Sequence, residues 1–563
     1  MVRCLLVLAV LTAACTGDGV LTDETPTPAG DPFTPIALDD HPLFDRERIL
    51  AVDLTMLPAD WDALRTQSRS FFGEFSGDCR GAPFSSPYTY FPADVVVDGE
   101  ALANIGVRKK GFIGSQSTTK PSLRLNLDEY VDGAEIGGAD NITLNNARQD
   151  PSLIKQCLVY DVFAAAGLPA SRCTLARVSV NGEDLGLYAH VEPVKRSFLR
   201  ERFGNDDGDL YEATLSDFEE RWLDTFEPKT DDTDPSRARL HALADDLDGG
   251  GDLTGILESH LDLDAFLTFW AVESWTGHWD GYAGNQNNAY VYVDPDTDRM
   301  AFIPWGVDGT LAARADQPAH FATGLLANRA ARDPDLLARY LDRVAAVGAF
   351  VWDEDALQAE IDRLEALIAG ELGAATPTDA IDAVRDFVAE QRERMTEEVE
   401  PKPFRSPFCM QEVGSIAAEF ETTWGSAAEG FDGIWEAGDL DMTLTWGPDV
   451  VPFSSTGVMA GPAEGDPGRA SIVLAGRWQA QGGTALLIPV LTVPTTTSPG
   501  TPLDLGTQAA AALYYVAPET GYEPTEAGAL SGGAVTLDAF GATPGAAIQG
   551  TIDTTIWGWT EIE

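Results

Sequence analysis

The chain has 563 residues and a formal net charge of −53, from 90 acidic against 37 basic side chains. So acidic a surface repels polynucleotides, which excludes a nucleic-acid partner, and any anionic ligand needs a local concentration of cations or a divalent metal. The length exceeds one hydrophobic core, and a composition that is 44% hydrophobic and 23% charged is that of a globular protein of several domains.

The N-terminus reads as a targeting segment. Arg3 precedes an apolar run, Leu5 to Ala14, that is too short to span a bilayer and ends in Leu11-Thr12-Ala13-Ala14-Cys15. That ending resembles a bacterial lipoprotein box. Residues 1–15 are therefore expected to be a lipoprotein signal peptide, with Cys15 lipidated and anchoring an exported protein to the cell envelope; plain secretion is the alternative. Residues 16–43 are rich in Pro, Thr, Gly and Asp and read as a disordered tether. Cys79, Cys157, Cys173 and Cys409 remain, and in an exported chain they are expected to form disulfides, with the pairing left open. The histidines are scattered, with neither H-x-H nor H-E-x-x-H, so no zinc site is expected.

Ordered sequence begins near Phe44. Leu57 to Leu64 reads as a short capped helix, and two alternating runs around Asp98-Gly99-Glu100 as a hairpin. Arg108-Lys109-Lys110-Gly111-Phe112-Ile113-Gly114-Ser115-Gln116-Ser117 follows, then Lys120 and an alternating strand, Ser122 to Asp128. The chain is poor in lysine, yet three lysines fall between 109 and 120. A Gly/Ser loop flanked by Lys and Arg offers N–H groups and cations to phosphates; the plainer reading is a solvated turn. Asp150 to Ala166 is a predicted helix, and Val178 to Glu192 a hairpin with an Asn181-Gly182 turn. Glu192 is either an edge carboxylate or a cleft residue.

After Tyr211 the periodicity is helical, through Leu253 to Trp275 and then from Pro334 to Glu398. Between these helices lies the polar stretch His278 to Thr310. Asp280 follows the aromatic helix, Asn288 opens the strand-like Asn-Ala-Tyr-Val-Tyr, and Asp308 follows a second strand, Met300 to Pro304. A carboxylate, a carboxamide and another carboxylate in that order suit one group that orients a hydroxyl and two oxygen ligands that hold magnesium. A polar hairpin is the plainer alternative. Residues 401–414 read as a linker, and 415–563, short β runs separated by Gly, Pro and Thr, as an antiparallel sandwich with an accessory role.

In serial order these pieces resemble the spore-coat CotH kinase family over about residues 45–400. The carriers are Arg-x-Lys-Gly-x-x-x-Ser at 108–115, Lys120, the 150–166 helix followed by Gly-Leu-Pro-Ala, and Val-Asn-Gly-x-x-x-Gly-x-Tyr-x-x-x-Glu at 180–192. Asp280, Asn288-x-Tyr-x-Tyr and Ile-Pro-Trp-x-x-Asp at 303–308 complete the set. The resemblance implies an α+β fold: a two-lobed atypical protein-kinase-like domain over 44–400 with ATP and Mg²⁺ between the lobes, ahead of the C-terminal β-sandwich. It implies phosphate transfer to Ser/Thr of a protein substrate at the cell surface or envelope. Arg108, Lys110, Gly111, Ser115 and Lys120 would then face the phosphates, with Lys109 a further rival, and Glu192 would lie near the adenine. Asp280 would orient the acceptor, and Asn288 and Asp308 would hold Mg²⁺. Members usually carry Pro-Trp-Asp-x-Asp where this chain has Pro304-Trp305-Gly306-Val307-Asp308. A non-catalytic surface protein, pseudokinase or adhesin-like, is the alternative.

Overall fold

Strands whose residues alternate between a buried and an exposed face build the first sheet. β1 (Leu50–Thr55) alternates along its whole length, and after helix α1 (Pro58–Thr66) the strands β2 (Phe91–Val97), β3 (Glu100–Lys109), β4 (Leu123–Asn126) and β5 (Asn141–Asn145) follow. Helix α2 (Lys155–Ala165) leads to the hairpin of β6 (Cys173–Val180) and β7 (Glu183–Val191). The strands close into a barrel in the order β1-β2-β3-β4-β5-β7-β6, with β6 returning parallel to β1. Asn181 and Gly182 both have positive φ, as a two-residue hairpin turn requires. Val52, Ile105, Leu125, Ile142 and Val178 fill the interior. The computed structural model describes residues 31–38, 41–69, 74–76, 79–312, 317–401, 408–463, 466–480, 483–505, 509–517 and 525–561. Residues 1–15, expected to be a signal peptide ending at Cys15, lie outside the described residues.

The second body is helical with one small sheet. It contains α3 (Arg196–Phe203), β8 (Asp209–Ala213), β9 (Glu227–Pro228), α4 (Ala238–Gly249), α5 (Leu253–His260) and α6 (Leu263–Trp275). Then come α7 (Tyr282–Asn285), β10 (Ala289–Asp294), β11 (Arg299–Pro304), α8 (Leu325–Arg332), α9 (Pro334–Phe350), α10 (Glu354–Leu372) and α11 (Thr378–Arg394). The sheet order is β11-β10-β8-β9. Helix α6 is apolar on nearly every side, so other elements must surround it, each large buried side chain stabilising the fold by about 1.5–3 kcal/mol. Trp270 stacks on Tyr340 with ring centroids 3.5 Å apart, and Asp262 caps the helix by accepting from the Ala265 amide at 3.1 Å.

Three expectations change. The end of the predicted tether is docked: Leu38 is buried, and the Ile36 amide donates to the Ala164 carbonyl at the end of α2 at 2.9 Å. The stretch read as linker already contains the start of β12 (Phe408–Thr423), a strand long enough to pair along both edges. The C-terminal region is one antiparallel sheet rather than two stacked ones. Its further strands are β13 (Gly438–Trp446), β14 (Asp449–Val450), β15 (Ser455–Ala463), β16 (Asp466–Ala480) and β17 (Gly483–Pro494), then β18 (Pro502–Asp504), β19 (Ala510–Val516), β20 (Thr525–Ala539) and β21 (Ala547–Glu561). They run β14-β13-β12-β21-β20-β19-β17-β16-β15, with β18 on β20. Strands of up to 16 residues with bulges let the sheet curl over a single core, so that β15 reaches β13, where Thr456 Oγ1 donates to the Leu440 carbonyl at 2.7 Å.

The cysteines pair as Cys157–Cys173, within the barrel body, and Cys79–Cys409, across 330 residues to the start of β12. In the chain-entropy account the longer loop is worth about 6 kcal/mol against the unfolded chain. Among the described residues no helix is long and apolar enough to cross a membrane.

Candidate functional site

Between the barrel rim and the helical body lies a cavity of about 770 Å³, of a size suited to a nucleotide-like ligand. Seven of the predicted site residues line it: Arg108, Lys110, Gly111, Ser115, Asp280, Asn288 and Asp308.

The barrel wall follows from strand alternation. Successive side chains at the end of β3 point to opposite faces, so Arg108 and Lys110 reach the cavity while Lys109 turns inward. Lys109 Nζ donates to the carbonyls of Arg65 and Gln67 at the end of α1, at 2.9 and 2.5 Å, and is a helix cap. Lys110 Nζ donates to Asn145 Oδ1 at 2.5 Å and lies 5.3 Å from the centre of the Trp305 ring. Burial lowers its pKa to about 8, against the opposing pull of Glu212 and Asp308. Gly111 has φ +104, and a Cβ there would lie 2.2 Å from Ser115 Oγ, so the loop closes only on glycine. Asn146 holds its far side, donating to the Ser115 and Lys120 carbonyls at 2.9 and 2.8 Å.

The opposite wall hangs from α6. Buried Glu273 accepts from the Tyr282 and Ala283 amides, both at 2.8 Å, and so fixes the start of α7; burial raises its pKa to about 8. Asp280, in the loop between, is held by carboxamides: Asn285 and Asn287 donate to Oδ1 at 2.7 and 3.2 Å, and Asn288 donates to Oδ2 at 2.9 Å. Asn288 has φ +50, and Gly306 has φ +54 with a hypothetical Cβ 2.2 Å from Asn288 Oδ1. The glycine thus leaves room for the carboxamide oxygen, where any side chain would displace it. Asp308 lies deep in the protein but open to the cavity. Burial raises its pKa to about 6, with Asp150 and Asp280 adding and its own backbone amide and Lys110 opposing.

Two predicted residues do not reach the cavity. Lys120 Nζ donates to the Leu187 carbonyl at 2.6 Å and lies over the Tyr188 ring, so it ties the loop to β7 rather than facing phosphates. Glu192, expected near the adenine, is buried in an ion-pair cluster, accepting from Arg172 at 2.7 Å and Arg202 at 3.0 Å, and does not line the cavity; the next residues, Pro193 to Lys195, line it instead. Cations from distant segments complete the lining: Arg69, Arg124, Lys195 and Lys229. Glu212, on β8 of the helical body, joins them. Burial would raise its pKa, but Lys229, at 2.6 Å, and Lys110 outweigh this and leave it lowered. No local motif marked these positions.

The donor chemistry fits a hydrated magnesium carried on a polyphosphate. Asn288 Oδ1 and the Asp308 carboxylate are hard oxygen donors, and the cations across the cavity suit phosphate oxygens. Among the described residues no group of three His, Cys, Asp or Glu could hold a metal by itself, so these two oxygens would share the ion with the ligand.

A family model described as CotH kinase protein matches residues 107–399. Similar proteins include Invasin CotH2 of Rhizopus delemar, 25% identical over 237 residues that cover 36% of this chain and 40% of that protein. Invasin CotH3 of the same fungus is 27% identical over 201 residues, covering 32% and 33%. Inner spore coat protein H of Bacillus subtilis is 26% identical over 185 residues, covering 31% and 50%. The matches thus span half or less of each relative's own length. The matched segment contains Arg108, Lys110, Asp280, Asn288 and Asp308, and the chain belongs to the CotH kinase protein family.

Proposed function

We propose that this protein is an exported CotH-type kinase that moves the γ-phosphate of Mg-ATP to a Ser or Thr hydroxyl of a protein at the cell surface or envelope. The observation that carries the reading is the set of groups that meet in one cavity: Arg108 and Lys110 at the end of β3 on the barrel side, and Asp280, Asn288 and Asp308 on the helical body. The barrel and the helical body then correspond to the two lobes of a kinase-like arrangement. When bound, Mg-ATP supplies the phosphoryl group and its counter-ion. Asn288 Oδ1 and Asp308 would hold the metal. Lys110 and Arg108 would neutralise phosphate oxygens beneath the Gly111–Ser115 loop. Asp280, kept in one orientation by its carboxamides, would accept the hydrogen bond of the acceptor hydroxyl and aim its oxygen at phosphorus. The acceptor oxygen forms the new P–O bond, ADP departs, and the hydroxyl proton passes to Asp280 or solvent. Export would follow from residues 1–15, with Cys15 as lipid anchor.

A second reading is a non-catalytic surface protein that uses the same cavity or the C-terminal sheet for binding. It is favoured by the naming of two relatives as invasins and by Gly306 where the family usually has Asp. Calorimetry and γ-phosphate label transfer with Mg-ATP separate the two. Nucleotide binding with label appearing on protein Ser or Thr is expected; binding without transfer favours the second reading, and absence of nucleotide binding overturns the first.

A further inference from the structure

The stretch between α1 and β2 connects three bodies at the cavity mouth. Pro83, Phe84, Ser86 and Tyr88 line the cavity. From there the stretch grips the Gly/Ser loop: Tyr88 Oη donates to the Gly111 carbonyl at 3.0 Å, and the Phe84 and Phe112 rings lie 5.1 Å apart. Arg69 and Gln116 exchange two hydrogen bonds, at 2.7 and 3.0 Å. Toward the helical body, Arg80 donates to the Leu215 carbonyl at 2.8 Å with its guanidinium 4.2 Å from the Trp222 ring. The third attachment is covalent. Cys79 is bonded to Cys409, and around that bond Phe75, Phe112 and Ile113 share one apolar cluster with Met410, Ala529 and Trp557 of the C-terminal sheet.

We propose that the C-terminal sheet, acting through Cys79–Cys409 and this cluster, holds the Gly111–Ser115 loop in the conformation that receives a polyphosphate. The identity of the ligand rests on the nucleotide reading above; the mechanical coupling does not. The sheet is then a component of the site and not only an appendage. The loop is held at Ser115 by Asn146 and at Gly111, Phe112 and Gln116 by the stretch before β2, so part of its order comes from that stretch, which is fixed at Cys79.

The test uses the intact chain and measures amide hydrogen exchange at residues 111–117 together with calorimetric Mg-ATP affinity. In the Cys79→Ser/Cys409→Ser double variant the loop amides should exchange about tenfold faster and Mg-ATP should bind about tenfold more weakly. In Cys157→Ser/Cys173→Ser, whose cysteines do not line the cavity, both should be unchanged in the folded protein. Tyr88→Phe and Trp557→Ala leave every disulfide in place and should each speed loop exchange, which keeps the test decisive if the double cysteine variant does not fold. Unchanged loop exchange in the folded cysteine variant, or in both Tyr88→Phe and Trp557→Ala, overturns the proposal. If the wild type binds no Mg-ATP, the nucleotide reading fails and the exchange arm still decides the coupling.

Discussion

The two walls of the cavity hold their charges in different ways. On the barrel wall, Lys110 is seated on a neutral carboxamide and Arg108 beside the Lys109 carbonyl and the Tyr90 ring. On the helical wall, Asp280 is gripped by three asparagine side chains, and burial raises the pKa of Asp308, with Asp150 and Asp280 adding to it. Lys110 and Asp308 lie close enough to shift one another's protonation, yet they form no direct ion pair. Neutral partners fix Lys110 and Asp280 in place without discharging them, whereas Lys229 and Glu212, also in the lining, pair with each other. A structural salt bridge between Lys110 and Asp308 would have neutralised both, as Arg172 and Glu192 do a short distance away. Charge kept apart in this manner is suited to a ligand that presents metal to one wall and phosphate to the other.

The comparison breaks most completely on the helical wall. Asp280→Ala is expected to lower label transfer by about 10³-fold while leaving Mg-ATP affinity near that of the wild type, as for a group that acts on the acceptor. Asp308→Asn should abolish transfer by a comparable factor through loss of the metal-dependent part of nucleotide binding, measured by titration with and without Mg²⁺. The same substitution should raise thermal stability. A carboxyl with a raised folded pKa contributes stability below its ordinary range and loses it as pH rises through about 6. The gain, about 2 °C in the unliganded protein, should therefore appear above pH 6 and vanish below pH 4. Equal affinity with and without Mg²⁺ in the wild type would remove Asp308 from the metal site.

On the barrel wall, Lys110→Met should weaken Mg-ATP binding by about 10- to 100-fold, the loss of one charge-assisted contact in a buried site. Smaller still is the pH dependence of the intact protein. Asp308 must be ionised and Lys110 protonated, so nucleotide binding should rise as pH passes about 6 and fall as it passes about 8. Each limb should approach tenfold per pH unit beyond its midpoint. Lys110→Arg should move the upper limb beyond the accessible range and leave the lower one, and a profile unaffected by that change would assign the upper limb elsewhere.

Local patterns made much of this legible. The hairpin turns at Asp98-Gly99 and Asn181-Gly182, the apolar helix ahead of Asp280, and the strands after Asn288 each follow from neighbours in sequence. The same is true of Asp280, Asn288 and Asp308, which one helix and one hairpin bring together. Arg124, Lys195, Lys229 and Glu212 carry no such signal, because barrel closure and the β8–β10 pairing bring them to the cavity from separate segments. Cys79–Cys409 is hidden for the same reason: its partners are 330 residues apart and meet only after three bodies have assembled. The C-terminal region misled in the other direction. Its Gly- and Thr-broken runs read as short strands, yet bulges carry β20 and β21 through those breaks and let one sheet curl.

Lys120 sharpens the comparison because it is a cation close in sequence to the Gly/Ser loop and yet outside the cavity. Alternation decides this. Arg108 and Lys110 share a face at the end of β3, whereas Lys120 lies just ahead of β4 and turns toward β7, where the Leu187 carbonyl and the Tyr188 ring accept its charge. Burial lowers its pKa, with Asp184 opposing. Lys120→Met keeps most of the side chain's volume and removes a single hydrogen bond, so it should cost about 1 kcal/mol in chemical denaturation. It should leave Mg-ATP affinity within about twofold of the wild type, far from the loss expected for Lys110→Met. If Lys120→Met instead weakened nucleotide binding as much as Lys110→Met, the barrel wall would extend past β3, and the separation of ligand-facing from structural cations drawn here would be wrong.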